Sequence, residues 1–165
     1  MQFAEGGPFL KILVISDSHG NTNSILDAVA KESPEMILHL GDYDRDCSVI
    51  GWDYQKIPVR CVRGNCDRGS PGPDTDEFTL GGKRYLMTHG NLYSVKTGLS
   101  SVISFAVSRG ADVLLFGHTH TPHYSVKHGI TIINPGSIGM SGKTYAVLED
   151  KDGGLICDIK TLSVK

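Results

Sequence analysis

No apolar run in these 165 residues approaches the roughly 20 that a membrane-spanning helix needs. Charge of one sign is also missing. A formal net charge of -2 argues against a nucleic-acid groove or an anionic-membrane surface, while leaving a local basic patch open. The four cysteines, Cys47, Cys61, Cys66 and Cys157, contain no Cys-x-x-Cys pair and no spacing of a secreted disulfide framework. They read as reduced thiols of a cytoplasmic protein. Residues 1–9 lack the basic start and apolar core of a signal peptide and read as a flexible lead-in. No internal repeat, low-complexity tract or linker interrupts residues 10–165, which are long enough for one domain and short for two.

What is present is a succession of short apolar runs, each stopped by glycine and polar residues. Leu10–Ser16 reads as a strand, and from Thr22 the period changes to a helical stripe of Ile25, Leu26, Ala28 and Val29 that ends at Ser33-Pro34. Met36–Leu40 and Val59–Arg63 read as further strands, and the polar stretch 43–56 between them has no clear assignment. Residues 68–76 read as loop. Glu77–Leu80 and Lys83–Thr88 form a hairpin about Gly81-Gly82. A helix within Thr97–Arg109, closed by Gly110, leads to the strand Ala111–Phe116. Two more hairpins turn at His128-Gly129 and at Lys151–Gly154. Helix-connected strands favour parallel pairing and hairpins are antiparallel, so the order predicts an α/β domain with two mixed sheets and helices outside.

Five strands end in the same way, with a metal-capable side chain at the exit. These are Asp17 with His19, Asp42, Asn65, His89, and His118 with His120. If the chain stays extended through Thr119, alternation points His118 and His120 to one side. Ligands of open α/β sheets gather beyond the carboxyl ends of strands, so these groups could converge. Aspartate, asparagine and histidine suit a borderline divalent cation, manganese foremost, with nickel, iron or zinc as alternatives. Seven ligands are too many for one catalytic zinc and suit two ions sharing a carboxylate. Taken singly, each residue has a plainer role: a helix-start carboxylate for Asp17, turn formers for Asp42 and Asn65, loop histidines for the rest.

The ordered blocks Asp17-x-His19, Gly41-Asp42, Gly64-Asn65-Cys66-Asp67, His89 and Gly117-His118-Thr119-His120 resemble the calcineurin-like metallophosphoesterase signature. The small size, the Gly-Asn-Cys-Asp block and the later Asn134-Pro135-Gly136-Ser137 are similar to the compact YfcE-type bacterial and archaeal phosphodiesterases. The resemblance implies a four-layer α/β/β/α sandwich with a two-metal site at one edge. One ion would take Asp17, His19 and His120, the other Asn65, His89 and His118, with Asp42 bridging them. Asp42, Asn65 and His89 are, by the same resemblance, candidate catalytic residues as well as ligands. The implied reaction is in-line attack on phosphorus by a water deprotonated between the metals.

Cys66 departs from the larger superfamily members, which carry histidine there to protonate the leaving alkoxide. A thiol filling space is the plainer role, so activated esters are the expected substrates. Arg45, Arg63 and Arg68 are candidate phosphate clamps by charge alone. His39 and His128 read as a locally bonded strand residue and a turn residue. His123 and Ser137 are candidate substrate contacts. The expected partner is a small phosphate ester, with no membrane, no nucleic acid, and a homo-oligomer left open. The rival from another class is a non-catalytic scaffold on the same fold, as in the retromer subunit that resembles this family.

Overall fold

The computed structural model describes residues 10–140, 142–151 and 154–163. The expected lead-in, residues 1–9, and the centre of the last hairpin turn lie outside the described residues. Ten strands and three α-helices follow one another. They are β1 (Lys11–Ile15), α1 (Thr22–Glu32), β2 (Met36–His39), α2 (Cys47–Asp53), β3 (Val59–Cys61), β4 (Thr75–Leu80) and β5 (Lys83–Thr88), then α3 (Ser100–Ser108), β6 (Val113–Phe116), β7 (His123–Lys127), β8 (Ile130–Asn134), β9 (Thr144–Lys151) and β10 (Gly154–Thr161). The unassigned stretch 43–56 holds a 3-10 turn at Asp44–Asp46 and the short α2.

The strands form two five-stranded sheets, ordered β10-β9-β1-β2-β3 and β4-β5-β6-β8-β7. In the first, β1, β2 and β3 are parallel and β9 runs against β1. In the second, β5, β6 and β8 are parallel and flanked by antiparallel edge strands.

Strand alternation sorts the apolar residues into three layers of core. Ile12 and Val14 of β1, Met36 and Leu38 of β2, Tyr85 and Met87 of β5, and Val113 and Leu115 of β6 face one another between the sheets. The opposite faces of β1 and β2, Leu13, Ile15 and Ile37, pack with Ile25, Ala28 and Val29 of α1 and Ile50 of α2. Leu114 and Phe116 of β6 pack with Val102, Ile103 and Ala106 of α3. The result is the expected α/β/β/α sandwich.

Asn21 caps α1, its side chain accepting from the Ser24 amide at 3.2 Å. Glu32 locks the far end of that helix to the first sheet. It accepts from the Tyr145 hydroxyl at 2.8 Å and from Lys160 at 2.9 Å, and lies 3.1 Å from Lys11. Burial pushes its carboxyl up, but Lys160, Tyr145 and Lys11 outweigh this and hold it down at about 2, from an ordinary 4.5. The native state therefore binds fewer protons than the unfolded chain. The stabilisation, of about 3 kcal/mol, is complete above the ordinary carboxylate value and is lost as pH falls toward the folded one. Glu32→Gln should accordingly lower the urea midpoint strongly near neutrality and much less near about pH 2.5.

One expectation is corrected. Cys47 and Cys61 are joined as a disulfide, leaving only Cys66 and Cys157 as free thiols. Parallel pairing of β3 with β2 sets the end of β3 beside the start of α2, a juxtaposition that cysteine spacing does not reveal.

Candidate metal centre

All six parallel strands end at one edge of the sandwich, and the loops leaving them are tied together. The Asp17 amide donates to the Gly41 carbonyl at 3.0 Å, linking the exits of β1 and β2. The Gly117 amide donates to the His89 carbonyl at 3.0 Å, linking those of β5 and β6. The His118 amide donates to Asp17 Oδ2 at 3.1 Å and so joins the two sheets.

Into this edge the structure brings two groups of ligand-type side chains, Asp17, His19, Asp42 and His120 in one, and Asp42, His89 and His118 in the other. Within each group the ligating atoms lie within 4.8 Å of one another, and Asp42 belongs to both. Its Oδ2 is 3.9 Å from His19 Nε2 and 3.5 Å from His89 Nε2, while its Oδ1 accepts from the Cys66 amide at 2.8 Å. Asn65 Oδ1 lies 3.2 Å from His89 Nε2 and extends the second group. All seven residues singled out by the motif blocks thus stand at one place.

The atoms that meet there are nearly all electron-pair donors. His89 Nδ1 donates to the Leu40 carbonyl at 2.7 Å, so in the neutral ring Nε2 carries the lone pair. That lone pair faces His118 Nδ1 at 3.1 Å as well as Asn65 Oδ1. His19 Nε2 and His120 Nε2 face each other at 3.4 Å. Asp17 Oδ1 is buried without a hydrogen-bond partner, 3.0 Å from His120 Nε2. Its other oxygen accepts from Ser16 Oγ at 2.6 Å. A buried carboxylate oxygen ringed by imidazole nitrogens is costly unless a cation sits among them. The donor set therefore fits divalent metal, with the His89–carbonyl bond fixing the tautomer as it does for metal-bound histidines.

The electrostatics agree. Burial pushes Asp42 up, but the His89 ring and the Cys66 amide outweigh it and hold the carboxyl well below its usual range. Burial pulls His89 down, yet Asp42 and Asp17 leave it raised overall. The field that favours a proton on His89 also favours a divalent cation beside it. His118 is lowered, by burial and then by His89 and Lys96, which keeps its ring neutral for ligation.

The backbone at the site departs from the sequence expectation. The strand stops at Phe116, and His118 and His120 both take left-handed conformations, at φ 69° and 58°, rather than continuing extended. Asp17, His19 and Asp42 are left-handed as well, at φ 52°, 47° and 59°. Such non-glycine residues each cost about 1 kcal/mol or more, a cost met only where the surroundings enforce it. The left-handed turns send His118 to one group and His120 to the other. The glycines of the blocks make room. A Cβ on Gly64 would meet Asp42 N at 2.5 Å, and one on Gly41 would lie 2.9 Å from His89 Nδ1.

Sequence reasoning missed the residues that hold these loops. Asp67 is buried, and its carboxylate accepts from the amides of Tyr43, Asp44 and Gly64 at 2.7, 3.0 and 2.7 Å, clamping the exits of β2 and β3 together. The Gly41 amide donates to His39 Nδ1, so Nε2–H faces Ser18 Oγ, which in turn donates to Asp46. His39 is thus locally bonded, as expected, and its burial lowers its pKa. Asn134, at the end of β8, donates to the Gly117 carbonyl and to Thr119 Oγ1, both at 3.0 Å. Ser137 is buried and donates to the Asp17 carbonyl at 2.8 Å, which rules out the expected phosphate contact. His128 sits in its turn, and His123 bonds Ser125 at 2.8 Å. Arg63 is held by Asp74 in a bidentate pair, leaving Arg45 and Arg68 as free clamps.

Comparison with known proteins agrees with this geometry. A family model described as the calcineurin-like phosphoesterase superfamily domain matches residues 10–153. A Bacillus subtilis (strain 168) protein described as a probable metallophosphoesterase, YsnB, is 33% identical, over 84% of this chain and 83% of that protein. The phosphodiesterase YfcE of Escherichia coli (strain K12) is 27% identical, over 86% of this chain and 88% of its own. Among solved structures, a conserved uncharacterized protein of Streptococcus pneumoniae TIGR4, described as a predicted phosphoesterase, superposes with a TM-score of 0.80 at 26% identity, covering 94% of this chain and 91% of that one.

Proposed function

The chain belongs to the calcineurin-like phosphoesterase superfamily, and on that premise we propose that it is a dinuclear-metal phosphodiesterase. The observation that carries this proposal is the shared carboxylate. Asp42 stands in two ligand groups at once, and Asp17 Oδ1 beside them has no hydrogen bond to satisfy it. Asp17, His19, Asp42 and His120 would hold one ion, and Asp42, Asn65, His89 and His118 the other. When bound, two divalent ions supply Lewis-acid activation of water and offset charge on the phosphoryl oxygens.

The chain's own part is to hold this arrangement and keep it dry from behind. His89 and Asp17 are fully buried, whereas His19 and His120 are partly exposed and mark the side from which a substrate enters. Cys66 is exposed beside Asn65. Burial and then the neighbouring Asp42 push its thiol up, so it carries its proton near neutrality but is a weak acid. Esters with good leaving groups, which need little protonation, are the favoured substrates.

A scaffold role would tolerate gaps in the ligand set, and none of the seven positions is missing. Manganese is the proposed native metal, with nickel, iron and zinc as alternatives. A cytoplasmic location belongs to the same proposal. The Cys47–Cys61 disulfide weighs against it, because reducing compartments keep such thiols open.

Metal-free protein reconstituted with manganese, nickel, zinc or magnesium, then assayed on bis-aryl and mono-aryl phosphates, tests the activity. Diester cleavage that requires a transition metal is expected. Equal turnover in metal-free protein would remove the proposal, and preference for the monoester would replace it with a phosphomonoesterase.

A further inference from the structure

Beside the metal centre lies a cleft of about 600 Å³ lined by Asp44, Arg45, Ser48 and the segment from Asp67 to Gly72. It is built on the loops that carry Asp42 and Asn65, which the Asp67 carboxylate binds into one body. Tyr43 connects the two regions. Its ring centroid is 5.6 Å from that of His19, and the Arg45 guanidinium lies 5.6 Å from the same ring.

The charges in this cleft are not balanced against one another. Arg60, Arg63, Arg84 and Arg109 each pair with a carboxylate. Arg45 and Arg68, both exposed, pair with none among the described residues. The two acidic residues of the cleft are occupied elsewhere. Asp67 accepts three backbone amides, and Asp44 accepts from Ser70 Oγ. Two guanidinium groups are therefore left with unused, fork-shaped donor sets that match a phosphate or carboxylate.

We propose that this cleft receives one arm of a phosphodiester and that Arg45 and Arg68 select diesters whose arm bears a phosphate or carboxylate. The proposal rests on the phosphodiesterase function above and adds the substrate class. The two anions share the recognising chemistry, and their ranking separates them.

The test compares the metal-loaded wild type with the Arg45→Gln, Arg68→Gln and doubly substituted proteins. Three 4-nitrophenyl diesters serve as substrates, with the second arm uncharged, carrying a carboxylate, or carrying a phosphate. The readout is the ratio of kcat/KM between charged-arm and uncharged-arm esters. Wild type should favour a charged arm about ten- to a hundredfold, and the double variant should bring the ratio close to one, mainly through KM. Added salt should lower the wild-type ratio. A wild-type ratio near one, or a ratio unchanged in the double variant, overturns the proposal. Calorimetric binding of a non-hydrolysable phosphonate with a carboxylate arm reads the cleft without turnover. If no ester is hydrolysed but the double variant binds this ligand about tenfold more weakly, the phosphodiesterase function fails and the anion cleft stands. Equal binding by both proteins overturns the cleft.

Discussion

Replacing Asp42 with alanine should lower diester turnover by about a thousandfold or more, together with the metal content. Asp42 is the one side chain common to both ligand groups, so its loss takes an anionic oxygen from each. It also frees the Cys66 amide, whose acceptor at 2.8 Å disappears, and loosens the loop that presents Asn65. Asp42→Asn separates these effects. The amide keeps the shape and an oxygen for the Cys66 N–H but carries no charge. If charge sharing is the function of Asp42, asparagine should be nearly as inactive as alanine while unfolding close to wild type in urea. Elemental analysis of the purified protein gives the metal content, and a bis-aryl phosphate gives the turnover. Undiminished turnover in both variants would end the dinuclear proposal.

His118→Ala and His120→Ala should each cost the protein one metal ion, and a different one. The two residues are separated only by Thr119, yet His120 Nε2 lies 3.0 Å from Asp17 Oδ1 whereas His118 Nδ1 lies 3.1 Å from His89 Nε2. Each variant should therefore retain about one ion per chain and lose turnover by about a hundredfold or more. The retained ions should differ in environment. A spectroscopically active ion such as cobalt would sit beside His89 in His120→Ala and beside Asp17 in His118→Ala. Loss of both ions from either single variant would mean that the two histidines serve one site. Both side chains are partly exposed, so global stability should change little in either protein.

The sandwich was legible because its code is local. Period-two runs such as Ile12–Ile15 and Val113–Phe116 state that both faces of a strand are buried, and the 3.6-residue stripe of Ile25, Ala28 and Val29 states that a helix covers one of them. Stretch 43–56 was not legible, since a 3-10 turn and a seven-residue helix are too short to set up a period. The Cys47–Cys61 pairing was misread because the cysteines meet only through the neighbouring strands β2 and β3. Asp67 looked like the tail of a motif, and its three amide partners come from residues 3 to 24 positions away.

The sequence by itself determined which side chains are available at the strand exits, and in what order. Glycine-bounded runs ending in Asp17, Asp42, Asn65, His89 and His118 already imply a convergent site, because parallel strands discharge at one edge. How those side chains are divided was decided only by the tertiary structure. Alternation along an extended strand would send His118 and His120 the same way, and left-handed turns at φ 69° and 58° send them to different groups. Such backbone is unfavourable in an isolated segment and has no signature in the residue string. It is held in place by bonds from distant segments, the His118 amide to Asp17 and Asn134 to Gly117 and Thr119.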